Sequence, residues 1–399
     1  MVFALGFVLF ALGITVSIAL HECGHMWTAQ ATGMKVRRYF IGFGPKIFSF
    51  RRGETEYGLK ALPLGGFCDI AGMTALDELR PEELDRAMYR QATWKRLLVM
   101  SGGIAMNFVL GFLLIVVLAV GWGLPNLKEP PATALGAMSC VAQQNPDGST
   151  LPCTGTGPAQ RAGLQRGDIV KEVNGVKVAT WREFQAETQK QTGPFTYVVE
   201  RDGRTLSIAV TPERVVRYPE GGGVGREVGA IGVGKERYEP VQYGLVGAVP
   251  AAVTFTGDIF VRTVDSLAQM PAKVSSLWDA VTGGERDPET PVSVYGASKI
   301  GGETAERGLW NIFILVLASL NFFLGVFNLL PLLPLDGGHI AVVVYEKIRN
   351  TIRGWKGLAP AAPVNYLKLL PATYVVVVIG GAYMLLTLAA DIINPIKLF

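Results

Sequence analysis

Charge is scarce in this sequence: 18% of residues are Asp, Glu, Lys or Arg, against about 25% in an ordinary soluble domain. That shortage excludes a uniformly soluble globule. The net charge of +4 is small, and no basic stripe with interleaved aromatics occurs, so nucleic acid is not an expected partner. The four cysteines stand apart, at 23, 68, 140 and 153, which excludes a cysteine metal cluster. Histidine occurs three times, and two of the three fall within SIALHECGHMW, Ser17 to Trp27.

Apolar residues are abundant, at 49% with a mean hydropathy of +0.31. They gather in four runs without charge: Met1–Leu20, Leu97–Leu127, Gly308–Leu335 and Leu369–Ala390. Each is long enough for the ~30 Å hydrocarbon core at about 1.5 Å per helical residue. The chain therefore reads as a polytopic α-helical membrane protein with four transmembrane helices. The first run lacks a basic leader and a convincing small-x-small cleavage site, so it is expected to stay as a span. Lys35, Arg37, Arg38, Lys95 and Arg96 flank the loop between the first two spans, and Lys347, Arg349, Arg353, Lys356 and Lys368 fill the loop before the last. Positive charge marks the cytoplasmic side. Both termini and the long central segment are then expected outside. Pro240–Gly257 is also uncharged, but Pro250 and several glycines interrupt it, and an interfacial or docked helix is expected.

Between the spans, KIFSF and EYGLKAL flank the turn signal RRGE and predict a membrane-associated β-hairpin. TALDELRPEELDRAMYRQ, from Thr74, predicts a charged helix. Residues 132–214 carry strand, helix and hairpin signals, the hairpin turning at Asp202–Gly203. AGLQRGDIVKEVNG, Ala162 to Gly175, resembles a PDZ domain, which implies an extracytoplasmic α+β module that takes peptide or substrate ends as an added strand. Cys140 and Cys153 both lie in this outward module, where a disulfide can persist. The expected division is 1–31 first span with HECGH, 32–96 cytoplasmic-side loop with the hairpin, 97–127 second span and 132–214 PDZ-like domain. An extracytoplasmic linker with interfacial helices (215–307), a third span with LDGG (308–343), a cytoplasmic loop (344–368) and a fourth span (369–391) follow.

His21 and His25 are four residues apart, a spacing that stacks them on one helix face and lets two imidazoles converge on one Zn²⁺. Glu22, beside the first, can serve a water rather than the metal. This is the HExxH pattern of helix-borne metalloproteases. Ionisable groups at membrane depth are costly, and a functional role explains them better than a polar patch. Cys23 points about 200° round the helix from His21 and reads as a packed side chain. A catalytic zinc needs a third protein ligand and an open position. Asp336, in NLLPLLPLDGGHIAV, is the only acid between Glu306 and Glu346. His339, one turn on, is its competitor. Pro331 and Pro334 break the helix before it. With one intervening span, HECGH and Asp336 share a depth near the cytoplasmic end; a crossing by Pro240–Gly257 would separate them.

HECGH, NLLPLLPLDGG, GFGP (Gly42–Pro45), LPLGGF (Leu62–Phe67) and GGIAMN (Gly102–Asn107) together resemble the bacterial site-2 proteases, in the branch with a single PDZ domain. The resemblance covers essentially the whole chain. It implies an intramembrane zinc endopeptidase of the cell (inner) membrane, with one Zn²⁺ per chain on His21, His25 and Asp336 and with Glu22 catalytic. Asn328 would hold substrate or its developing oxyanion. The edge Leu62, Pro63, Leu64, Gly65, Gly66 and Phe67 would pair with an unwound substrate. Asn107 and His339 would support the site from behind its ligands, and both asparagines also read as polar glue between helices. Implied substrates are single-span membrane proteins in the bilayer, such as pre-trimmed anti-sigma factors or signal-peptide remnants, with the PDZ-like domain excluding untrimmed ones. The rival reading is a non-catalytic PDZ-bearing scaffold with a structural metal. Such a site needs four closed ligands, and no fourth is well placed.

Overall fold

The computed structural model describes residues 1–74, 76–127, 130–145, 149–218, 224–236, 239–287 and 289–396, with the backbone alone at 63 and 64. It divides into two compact units, Met1–Leu124 with Gln242–Phe399, and Pro125–Val241.

The first unit opens with α1 (Val2–Ala31), an uninterrupted apolar helix that keeps HECGH inside its regular turns. The strands β1 (Val36–Arg52) and β2 (Thr55–Ile70) follow, turning at Gly53, and then α2 (Thr93–Gly121). β1 pairs antiparallel with β2, but the hairpin folds back on itself. Residues 38–41 pair on one side with 66–69 and on the other with 56–59. Residues 66–69 thus form an edge that carries no further strand among the described residues.

The charged segment from Thr74 is not an α-helix. It holds two short 3-10 turns, Pro81–Arg86 and Met88–Arg90. Two of its acids, Asp77 and Glu83, are committed elsewhere. Arg37 of β1 takes Glu83 at 2.8 Å and Asp77 at 3.2 Å, and the Asp77 carboxylate also accepts from Gly72 N at 2.7 Å. This tertiary demand overrides local helix propensity.

The second unit contains β3 (Leu135–Met138), α3 (Pro158–Arg161), β4 (Ile169–Val173), β5 (Val176–Lys177), α4 (Trp181–Gln189), β6 (Phe195–Arg201), β7 (Arg204–Val210), β8 (Glu213–Arg217), β9 (Arg226–Ala230) and β10 (Val233–Lys235). Four strands form a sheet in the order β5-β4-β6-β7. Phe184 of α4 packs with Val170, Tyr197 and Val199 of that sheet in the unit's core. Asp202 and Gly203 turn β6 into β7 with positive φ at both. Thr180 and Glu183 cap α4 reciprocally. The unit is wider than 132–214, because β10 pairs with β3 and β9 with β8. The start of the expected 215–307 linker is therefore part of it. Cys140 and Cys153 are bonded, with Cα atoms 5.9 Å apart.

The first unit resumes with α5 (Leu245–Gln269), α6 (Val274–Val281), α7 (Val294–Glu306), α8 (Trp310–Asn328), α9 (Asp336–Trp355) and α10 (Leu370–Ile393). Among the described residues, five helices are long and apolar enough to cross a membrane: α1, α2, α5, α8 and α10. α5 covers the segment expected to be interfacial. The apolar run from Gly308 is not one helix: α8 stops at Asn328, before Pro331 and Pro334, and α9 starts afresh at Asp336.

Close packing sets the centre of this unit. A Cβ on Gly24 of α1 would collide with the carbonyl oxygen of Gly102 on α2, so the two backbones touch there. Deeper along α1, Ser17 and Asn321 are wholly buried, and Asn321 Nδ2 donates to Ser17 Oγ at 3.0 Å, linking α1 to α8.

Candidate metal centre

The i, i+4 spacing on α1 does what helix geometry requires: the rings of His21 and His25 lie with centroids 4.8 Å apart, both buried. Their Nε2 atoms are 3.2 Å apart. Asp336 Oδ2 lies 3.1 Å from Nε2 of His21 and 3.2 Å from Nε2 of His25. Asp336 reaches them because it opens α9, where an acid suits the helix N-terminus. The turn before it is tight: a Cβ on Gly338 would press on Leu333 N at 2.5 Å, and one on Gly337 would strike the carbonyls of Leu329 and Leu330.

These three atoms form a nearly equilateral triangle, and they suit zinc. Ligands at about 2.0–2.1 Å in a tetrahedron are about 3.3 Å apart. His25 Nδ1 donates to Val99 O at 2.8 Å. A carbonyl can only accept, so Nδ1 carries the proton and Nε2 presents a lone pair. Asp336 Oδ2 is buried and accepts no well-formed hydrogen bond, leaving it for a cation. The three residues form the one group of this kind among the described residues.

The other expected residues fall as follows. Glu22 lies on the same turn, and the β2 edge runs over it: a Cβ on Gly66 would be 3.3 Å from Glu22 Cγ. Gly65 is packed under Phe43, Leu62 is half exposed and pairs with Phe43, and Phe67 stacks on Phe40. The side chains of Pro63 and Leu64 lie outside the described residues. Asn107 places its amide 3.1 Å from His21 Nδ1. Asn328 donates Nδ2 to Leu324 O at 3.0 Å. His339 is not in the triangle; its Nδ1 meets Tyr366 Oη at 3.3 Å. Cys23 Sγ donates to Tyr39 Oη at 3.2 Å, away from the ligands.

The structure adds a contact made by Gly103 of α2, within GGIAMN. A Cβ there would sit 2.8 Å from His21 Cε1 and Nε2 and would overlap His25 Nε2. The rings rest on bare backbone. Its signal, a glycine four residues before Asn107, is visible only once α1 and α2 are paired.

The profile of Peptidase family M50 matches residues 9–371. The chain belongs to this family. It is similar to Zinc metalloprotease Rip1 of Mycobacterium tuberculosis (strain ATCC 25618 / H37Rv), with 55% identity over 403 residues and 100% of each chain covered. The Mycolicibacterium smegmatis Rip1 is 53% identical over 405 residues, again with 100% of each chain covered. Regulator of sigma-W protease RasP of Bacillus subtilis is 26% identical over 457 residues, covering 95% of each. The M50 chain is thus a zinc metalloprotease of the site-2 type, a multi-pass protein of the cell membrane that acts on membrane-protein substrates within the bilayer. The scaffold reading is not favoured.

Proposed function

We propose that His21, His25 and Asp336 hold the zinc and that Glu22 is the catalytic acid–base in cleavage of single-span membrane proteins. The observation that carries this is the triangle of 3.1–3.2 Å edges with Glu22 on the same turn of α1. Zinc, when bound, supplies the Lewis acidity that makes water reactive near neutral pH. The residues do the rest. Glu22 takes a proton from the attacking water and returns it to the leaving amine. The unpaired edge of β2 pairs with the unwound substrate and holds its scissile carbonyl out of helical hydrogen bonds. The second N–H of Asn328, not used on Leu324, is available to the developing oxyanion.

The membrane arrangement we infer has four crossings, with both termini and the 125–241 unit outside and the metal near the cytoplasmic side. α8 runs in the same direction as α1, since Phe10 meets Phe313 and Ser17 meets Asn321. α2 runs against α1. α5 therefore leaves and α8 enters on one side, and the chain between must return. α5 starts at the last turn of α2, where Gln242 Nε2 donates to Val120 O at 2.8 Å. Its end meets Tyr383 on α10, eight residues before Asp391, which accepts from Ser293 N at 2.6 Å. Eight residues are about 12 Å of helix, so α5 ends inside the membrane and α6 brings the chain back. The disulfide supports an outward position for its unit.

Substrates of this reading are pre-trimmed anti-sigma factors or signal-peptide remnants. The name of RasP, a regulator of sigma-W, supports the first class. The PDZ-like unit takes substrate ends and excludes proteins that keep a bulky outer domain. The test is mass spectrometry of products from a single-span substrate with and without its outer domain. The cut is expected within the apolar segment of the trimmed form alone, and deleting the whole 125–241 unit should admit the untrimmed one. A cut outside the span contradicts the intramembrane assignment. Continued resistance of the untrimmed form contradicts the filter.

A further inference from the structure

The two histidines differ in what faces their second ring nitrogen. His25 meets a carbonyl, which fixes its tautomer. His21 meets a side-chain amide, which can either donate or accept. The amide belongs to Asn107, 1% exposed, on the turn of α2 after Gly103. With the amide nitrogen turned to His21, two things go wrong together. The imidazole must carry its proton on Nε2, aimed between His25 Nε2 and Asp336 Oδ2, only 3.2 and 3.1 Å away. Asn107 Oδ1 is also left buried with no hydrogen bond, a costly state for a carbonyl.

A half-turn of the amide resolves both, and such a flip changes almost nothing in shape. We infer that Asn107 is a positioning residue: its Oδ1 accepts from Nδ1–H of His21 and holds the ring in the tautomer that leaves Nε2 free for zinc. The inference rests on the assignment of His21 as a ligand. Asn107 then does for His21 what Val99 O does for His25. Asn321 and Asn328 likewise turn their Nδ2 to the carbonyl four residues back along their helix. Gly103 leaves the ring no room to tilt instead, because any displacement toward α2 meets backbone.

Hydrogen-bond partners of metal-bound histidines typically change metal affinity by about 10–100-fold. The test uses the full-length protein and measures zinc affinity by competition with a chelator, without cleavage. Asn107→Leu removes the acceptor at similar volume. Asn107→Asp keeps an acceptor and removes the donor. Asn107→Leu is expected to lose about 10-fold or more in affinity while Asn107→Asp stays close to wild type. Wild-type affinity in Asn107→Leu overturns the inference. So does an equal loss in Asn107→Asp, and that variant decides alone should the leucine variant fail to fold. A parallel His21→Ala arm separates the two levels: unchanged zinc affinity there defeats the ligand assignment itself.

Discussion

Arg96 Nη1 lies 2.7 Å from Glu346 Oε2, a buried ion pair that ties the first turn of α2 to the helix beginning at Asp336. The other Glu346 oxygen accepts from Val364 N at 2.7 Å. The pair fixes α9 against the helix that backs the two histidines, and so fixes where Asp336 stands.

Breaking this pair on one side strands a buried charge. Glu346→Ala is expected to cost about 3–5 kcal/mol, read as a lowered thermal unfolding midpoint. Replacing both partners by Met should recover most of that loss. A single variant as stable as wild type would show that the pair does not hold α9.

Gly103→Ala should empty the metal site. The new methyl group would stand 2.8 Å from His21 Nε2, and the helix backbone beneath it cannot retreat while Gly24 and Gly102 are in contact. Metal analysis should find far less zinc than in wild type, and Gly121→Ala, with open space around it, should keep wild-type zinc. Full zinc in Gly103→Ala contradicts the close approach of α2 to the rings.

How far the site could be read in advance follows from its parts. HECGH was legible because four residues on a helix set two side chains on one face, whatever the surroundings. Asp336 was legible because it is a solitary acid in a span broken by prolines. The contact of Gly103 with the two rings and the Arg96–Glu346 pair were not, because they acquire meaning only from a neighbour in space. Arg96 was read as a charge marking the membrane side. Its partner is 250 residues away. The segment from Thr74 misled for a similar reason: its acids suit a helix, but Arg37 on β1 takes Asp77 and Glu83.

That Arg37 cluster should be visible in acid. Its guanidinium, bonded to Glu83, holds that buried carboxyl at about 2, down from its ordinary 4.5. The depressed value means that the stabilisation is full above pH 4.5 and is lost as pH falls toward about 2. Glu83→Gln should flatten stability against pH in that window, measured by unfolding at fixed denaturant. An unchanged slope would mean that the pair contributes nothing.

Cysteine alkylation tests the outward unit. Cys140 and Cys153 are bonded while Cys23 and Cys68 are free. Denatured protein purified from the membrane should take up two labels per chain, and two more after reduction. Four labels without reduction would remove the support the disulfide gives to the orientation.

The central claim is that zinc on His21, His25 and Asp336 works with Glu22 as its acid–base. Zinc content and cleavage of a single-span substrate, measured on the same samples of wild type and Glu22→Ala, test it most directly. Wild type should hold about one zinc per chain and cut. Glu22→Ala should keep that zinc and lose cleavage by about 100-fold or more. A Glu22→Ala enzyme that still cuts at the wild-type rate would contradict the account.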